Sequence, residues 1–344
     1  MGALGLGKLR VRLFLFAVIL ILLSGCNLNA DTGGNPVQTA VAQTLAAAPM
    51  RTSTATMDTQ DIEDQGPGGK IVYVCQFSKR SGFNQICIIN ADGSGQRVLT
   101  PPSNSDDFFP SIAPDGNSVL FASDRSGLYQ IYELDLADGD LSQLTDFTDK
   151  QAYAPAVSPD NEQIVVYVRQ TGADYPNSHN LWVMNRDGSD AHAITSRSGG
   201  AWDPAWSPDS QYILFASEIA GKPQLFITES NGNNPVQVSQ FDGIRGRNDW
   251  SADGLTLSTY IGTPWDRDIY TFDLAGENVR QLTDGGNNLA PSFSPDGEWI
   301  VFMSYRDNIR QDLGCEIYVM RVDGSELTRL TDNDICDWQP RWGN

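Results

Sequence analysis

PSFSPDGEWIVFMS (residues 291–304) joins a proline, an apolar residue two places on, a Ser-Pro-Asp-Gly turn and a fresh apolar run. The pattern recurs as PSIAPDGNSVLFAS (110–123), PAVSPDNEQIVVYV (155–168), PAWSPDSQYILFAS (204–217) and NDWSADGLTLSTYI (248–261), and PRWGN (340–344) repeats its start. Successive starts lie 45, 49, 44, 43 and 49 residues apart, which is the period of a four-stranded propeller blade rather than of a helical solenoid.

Each unit carries four strand-like runs. Pro-Asp-Gly suits a tight turn between the first two, with Pro fixing one φ and Gly taking a positive one. The third run holds an apolar pair, as in Ile131-Tyr132, Leu181-Trp182, Leu225-Phe226, Ile269-Tyr270 and Ile317-Tyr318. The fourth closes on Leu144-Thr145, Ile194-Thr195, Val238-Ser239, Leu282-Thr283 and Leu330-Thr331. Two places after each opening Pro, or Asn248 in its stead, stand Ile112, Val157, Trp206, Trp250, Phe293 and Trp342, side chains expected to wedge between neighbouring blades. Residues 70–100 supply second, third and fourth strands without a first, and QPRWGN (339–344) is a first strand with nothing after it. Joined, they complete a ring without unpaired terminal edges. The expected fold is all-β: a six-bladed β-propeller of four-stranded antiparallel blades over residues 70–344, closed by the C-terminal strand joining the N-terminal blade.

The beginning of the chain reads differently. Lys8, Arg10 and Arg12 precede an apolar run, LFLFAVILILL (13–23), too short to span a bilayer comfortably, and LSGC (23–26) follows. Residues 1–25 are expected to be a signal peptide. LSGC resembles the lipobox of bacterial lipoproteins, and by that resemblance Cys26 is the lipidated residue. Residues 26–69, rich in Ala, Thr, Gln, Asp and Gly, read as the lipidated Cys and a low-complexity stalk. The formal charge is −20, and −23 without the three basic residues of 1–25. Such a charge repels phosphate backbones, so no nucleic-acid partner is expected.

PSFSPDGEWIVFMSYRDN...EIYVMRVDGSELTRLTD is similar to the repeat of the TolB-like propellers, and all six units can be laid on it. The resemblance implies the fold rather than a reaction, since propellers host binders, scaffolds and enzymes alike. TolB itself carries a folded α/β domain before its propeller, where this chain has the lipobox and stalk. Extracytoplasmic location and membrane attachment through the lipid anchor follow as expectations. The final membrane, cell or outer, stays open.

Four further cysteines form an even set with three possible pairings. Cys75 with Cys87, across the closing blade, and Cys315 with Cys336 are the expected bridges. His179 and His192 are the only histidines; both are expected at the surface, and neither H-E-x-x-H nor G-x-S-x-G occurs. No catalytic residue and no cofactor is therefore predicted. Calcium or another divalent cation held by oxygen ligands stays possible, with metal ligands unassigned.

The expected role is protein or ligand binding by a monomer, with an envelope protein or peptide as partner. The alternative is a divalent-cation-dependent propeller enzyme, a hydrolase or lyase acting on a saccharide, lactone or ester. The candidate binding rim lies in the connections to the innermost strands: Phe108, Tyr153, Trp202 and Trp338, with Asp107, Asp203 and Asp337. An aromatic and acidic ring of this kind suits a protein segment, a basic peptide or a cation. Asp249 and Arg341 break a position that is Ser or Ala elsewhere and are the candidates for the channel wall.

Overall fold

A computed structural model describes residues 66–76, 82–101, 103–196, 198–309 and 314–344. The expected signal peptide, Cys26 and the stalk up to residue 65 lie outside these residues.

Among the described residues every regular element is a strand. In chain order they are β1 (Lys70–Gln76), β2 (Asn84–Asn90) and β3 (Arg97–Val98); β4 (Asp107–Ile112), β5 (Ser118–Ser123), β6 (Gln130–Asp135) and β7 (Leu141–Gln143); β8 (Lys150–Val157), β9 (Gln163–Gln170), β10 (His179–Asn185) and β11 (His192–Ala193); β12 (Trp202–Trp206), β13 (Tyr212–Ser217), β14 (Gln224–Glu229) and β15 (Val236–Gln237); β16 (Asp249–Trp250), β17 (Thr256–Thr263), β18 (Asp266–Asp273) and β19 (Arg280–Gln281); β20 (Asn288–Phe293), β21 (Trp299–Ser304), β22 (Glu316–Arg321) and β23 (Thr328–Arg329); and β24 (Trp338–Gly343). They form six four-stranded antiparallel sheets. Blade 1 has the order β24-β1-β2-β3, and blades 2 to 6 take the following strands in fours.

Blade 1 therefore closes the ring as expected. Ile71 pairs with Trp342 and Lys70 with Gly343, and the Trp342 indole N–H donates to the Gly68 carbonyl at 2.9 Å. Gly69 has φ +90°, and a Cβ there would meet the Gly343 carbonyl oxygen at 2.6 Å. Gly68 and Gly69 thus already belong to the closing blade.

The wedge residues are all buried, and each joins the core of the preceding blade. Ile112 packs on Val72 and Val74, Val157 on Leu120, and Trp206 on Val165 and Leu181. Trp250 packs on Leu214, Phe293 on Tyr260 and Ile269, and Trp342 on Val301 and Ile317. Core thus accumulates between sheets, one cluster per blade interface, because the second and third strands of a blade are mostly buried on both faces while the outer strands are mostly exposed.

Two hydrogen-bond devices explain the rest of the repeat. In the turn of blade 6, Ser294 Oγ donates to Asp296 and accepts the Trp299 N–H at 2.9 Å, while Asp296 accepts the Glu298 N–H at 2.9 Å. Asp296 is thereby consumed by its own turn. The terminal Thr or Ser of every unit is a latch. Thr100, Thr145, Thr195, Ser239, Thr283 and Thr331 accept the backbone N–H of Ile86, Ile131, Leu181, Leu225, Ile269 and Ile317 at 2.8–3.0 Å. Both expected disulfides are present, Cys75–Cys87 and Cys315–Cys336, with Cα separations of 5.9 and 4.5 Å. Since Tyr73 pairs with Cys87 and Cys75 with Gln85, the first bridge runs diagonally between β1 and β2.

Candidate functional site

The first strands β4, β8, β12, β16, β20 and β24 each touch the first strands of both neighbouring blades, which closes an inner ring. Each begins with the same distortion. Phe109, Ala154, Asp203, Arg247, Ala290 and Gln339, immediately before the opening Pro or Asn248, all have φ between +47° and +55°. In five blades the pairing register with the second strand shifts at this point, as between Phe108 and Ser111. This is a bulge in a left-handed conformation that L-residues seldom adopt, and bulges re-aim the side chain they carry.

The re-aimed side chains meet across the ring. Arg247 of blade 5 lays its guanidinium over the Phe109 ring of blade 2, the blade opposite, at 5.0 Å. Arg247 also donates to the Gln339 carbonyl at 3.3 Å, and Gln339 Oε1 accepts the Phe109 N–H at 2.9 Å. The Arg247 N–H donates to Asp203 at 2.9 Å. One step further along, Arg341 donates to the Asn248 carbonyl at 3.1 Å and faces Asp249 at 3.6 Å, while Asp249 accepts the Ser292 hydroxyl and the Phe293 N–H. The channel is therefore crossed by side chains at this level. Burial raises the Asp203 carboxyl, with Arg247 opposing, and lowers the Arg247 guanidinium to about 10, which still leaves it charged at neutral pH.

Beyond this plug, at the start of the inner strands and in the loops joining second to third strands, the mouth has two unlike halves. Blades 1 to 4 share an unbroken run of rings: Trp338, Phe108, Tyr129, Tyr153, Tyr167, His179, Tyr175 and Trp202, with successive centroids 5.0–6.0 Å apart. On blades 5 and 6 the run gives way to Arg245, to Arg267 over Tyr260 at 5.8 Å, and to Trp265 against Tyr305 at 5.2 Å. Gly246 holds the aromatic slot of blade 5. A Cβ there would lie 2.4 Å from Asp203 Oδ2 and 2.9 Å from Trp202 Nε1, so the space belongs to blade 4.

The residues expected at the rim divide. Phe108, Tyr153 and Trp338 are half-buried members of the aromatic run. Trp202 is only 8% exposed and donates its indole N–H to the Arg245 carbonyl at 3.0 Å. Asp107, Asp203 and Asp337 are buried. Asp107 is paired with Arg125 at 2.9 Å, and Asp337 accepts from Asn333 at 2.7 Å. Burial pushes the Asp337 carboxyl up to about 7. Asp107 and Asp337 share a slot, which is Asn288 in blade 6, and in blades 2 and 6 it faces the end of the strand that follows: Asn288 accepts from Arg306 as Asp107 does from Arg125. Asp203 is instead the bulge residue of blade 4. Asp249 and Arg341, expected on the channel wall, are brought together on the inner strands. His192 is exposed, but His179 is half-buried within the aromatic run, contrary to the surface position expected for it.

Sequence reading missed Phe109, Arg247 and Gln339, whose only signal is that the position before the Pro differs in each copy. It also missed Tyr175 (61% exposed) and Trp265 (39% exposed), which lie in loops outside the repeat. Among the described residues no three His, Cys, Asp or Glu side chains gather as a metal site. A cleft by the outer strand of blade 4, lined by Gln237–Phe241 with Ala275 and Gly276, contains no titratable side chain.

Fold and site together define a six-bladed β-propeller with a side-chain-plugged channel and a broad mouth. The TolB β-propeller domain (PD40) matches residues 64–175, 148–307 and 234–344, and the chain belongs to that family. It is 25% identical over 285 residues to the Tol-Pal system protein TolB of Francisella tularensis, covering 79% of this chain and 63% of that protein. Over 147 residues it is 35% identical to an uncharacterized protein of Agrobacterium fabrum, covering 40% and 46% of the two chains. The chain thus spans less than two thirds of either relative. Its fold resembles the crystal structure of TolB from Acinetobacter baumannii with a TM-score of 0.69 at 21% identity, over 80% of this chain and 66% of that one.

Proposed function

We propose that this protein is an extracytoplasmic binding module that captures a segment of an envelope protein across the mouth of its propeller. In this reading residues 1–25 direct export, Cys26 carries the lipid and residues 26–69 are the stalk. Family membership and a relative named for the Tol-Pal system support an envelope setting. The observation that carries the binding reading is the Arg247–Phe109 plug beneath a mouth with exposed Tyr175 and Trp265. A plugged channel is a floor rather than a passage. Large aromatics on such a floor supply contact area at low entropic cost. The reading requires no cofactor.

The test is photo-cross-linking in intact envelopes, with the reactive side chain placed at Tyr175 or Trp265, and at Leu255 on the opposite face as the reference. A discrete protein adduct is expected from the first two and none from Leu255. Adducts at Leu255 alone would overturn the assignment of the face. Fatty-acid labelling is expected to disappear in C26S; labelling that survives would remove the anchor from the proposal.

A further inference from the structure

The aspartates expected at the mouth are withdrawn from it. Asp107 is paired with Arg125, Asp203 faces Arg247 inside the plug, and Asp337 is buried and accepts from Asn333. None of the three presents a free carboxylate. Of the carboxylates in the neighbouring loops, Glu218 accepts the Tyr175 hydroxyl at 3.0 Å and Asp242 pairs with Lys222. Arg245 and Arg267, by contrast, make no ion pair with a described carboxylate. Arg245 is exposed, and its charge reaches the hydroxyls of both Tyr175 and Tyr260. Arg267 lies half-buried over Tyr260, its Nε enclosed and unpartnered and the rest of its guanidinium in no ion pair with a described carboxylate. In a chain of net charge −20 these are two guanidiniums without an ion pair among the described residues, and exposed Tyr175, Ile219 and Trp265 stand on the same face, with the carboxylates of Glu218, Asp242 and Asp266 nearby. A guanidinium held against an aromatic ring with unused donors suits bidentate carboxylate recognition.

We infer that the segment taken by this mouth is acidic and amphipathic, its carboxylates received by Arg245 and Arg267 and its apolar side chains by Tyr175 and Trp265. The inference rests on the proposal that the mouth binds protein and adds the chemistry of the partner. A peptide suits the site better than an acidic polysaccharide, because the exposed apolar residues flank the arginines and call for apolar side chains between carboxylates. Asp266, exposed beside Arg267, is a carboxylate bordering the pair and should weaken it.

The experiment uses two labelled peptides of equal length and apolar content, one carrying glutamates and the other lysines, with polygalacturonate as a third probe. Binding to the full chain is read by fluorescence anisotropy and by competition. The glutamate peptide is expected to bind and the lysine peptide to bind at least about tenfold more weakly. R245E alone, which alters an exposed side chain, should weaken the glutamate peptide about tenfold, and R245A/R267A at least as much. D266N should tighten it about twofold. R280A, at the far end of blade 5, should change nothing. Equal or preferred binding of the lysine peptide, absence of glutamate-peptide binding, or indifference to R245E would overturn the inference. Binding of polygalacturonate in place of the peptide would assign a saccharide instead. If cross-links at Tyr175 and Trp265 persist in any of these cases, only the chemistry of the partner fails, and the mouth remains the binding face.

Discussion

In blade 6 the inner strand begins Leu289-Ala290-Pro291, and in neighbouring blade 5 the same positions are Gly246-Arg247-Asn248. The backbones agree: Ala290 has φ +53° and Arg247 +48°. The wedges two places beyond the Pro slot also agree, since Phe293 and Trp250 are 6% and 5% exposed, each in the core of the preceding blade. What differs is the side chain put on the bulge. Ala290 ends against the blade core, whereas Arg247 crosses the ring to Phe109. Asn248, replacing the proline, is fully buried with both side-chain amide atoms unpartnered. Two offsets from one residue therefore have different roles. The wedge offset builds the ring and is apolar in every copy, while the bulge offset is backbone that each copy loads as its place in the channel requires.

The wedges should give the largest effect. Trp250→Ala and Phe293→Ala each delete a large buried ring at a blade interface, and each is expected to cost about 3–5 kcal/mol in chemical unfolding. Similar losses in the two blades would support a shared structural role. A loss under about 1 kcal/mol in either would break the equivalence.

The bulge offset should separate the blades. Ala290→Gly keeps the left-handed backbone and is expected to stay within about 1 kcal/mol of the parent. Arg247→Met removes the plug cation and leaves Asp203 buried without its opposing charge, at a cost of about 2–3 kcal/mol near neutral pH. The pH dependence has a definite sign. The folded pKa of Asp203 is raised by burial, so the folded state holds this proton more tightly than the unfolded state, and stability falls as pH rises through that interval. Without Arg247 the pKa rises further. The deficit of Arg247→Met relative to the parent should therefore shrink in acid and grow toward neutral pH. A deficit independent of pH would show that Asp203 and Arg247 are not coupled.

The same division explains what the sequence could disclose. Turn, wedge and latch residues recur at a fixed period with one chemistry, so Ser294-Asp296, Phe293 and Thr331 could be read from the repeat before any coordinates. Phe109, Ala154, Asp203, Arg247, Ala290 and Gln339 share a backbone conformation but no side-chain chemistry, and a conformation leaves no compositional trace in L-residues other than Gly. Asp107 and Asp337 were legible as acidic residues near the inner strands, but not as buried ones: Arg125, the partner of Asp107, lies beyond the second strand of its blade, and the Asn333 that meets Asp337 within one connection has no counterpart in the repeat. The aromatic run was legible only in part, since Tyr129, Tyr167 and Tyr175 come from second strands and loops whose lengths vary.

The latches offer the smallest and most symmetrical test. Thr283 Oγ1 accepts the Ile269 N–H at 3.0 Å and donates to Asp268 at 2.8 Å; Thr331 Oγ1 accepts the Ile317 N–H at 2.9 Å and donates to Glu316 at 2.6 Å. Valine has nearly the shape of threonine, so Thr283→Val and Thr331→Val remove these bonds with little change in packing and leave one buried N–H unpaired and one buried carboxylate short of a donor in each blade. Each should cost about 1–2 kcal/mol, and the two values should agree within about 0.5 kcal/mol. Such agreement would place the latch with the wedge as scaffold, independent of what the neighbouring bulge carries. If Thr283→Val alone were costly, blade 5 would depart from blade 6 at its outer strand as well as at the channel, and the separation between a uniform scaffold and a variable inner ring would fail.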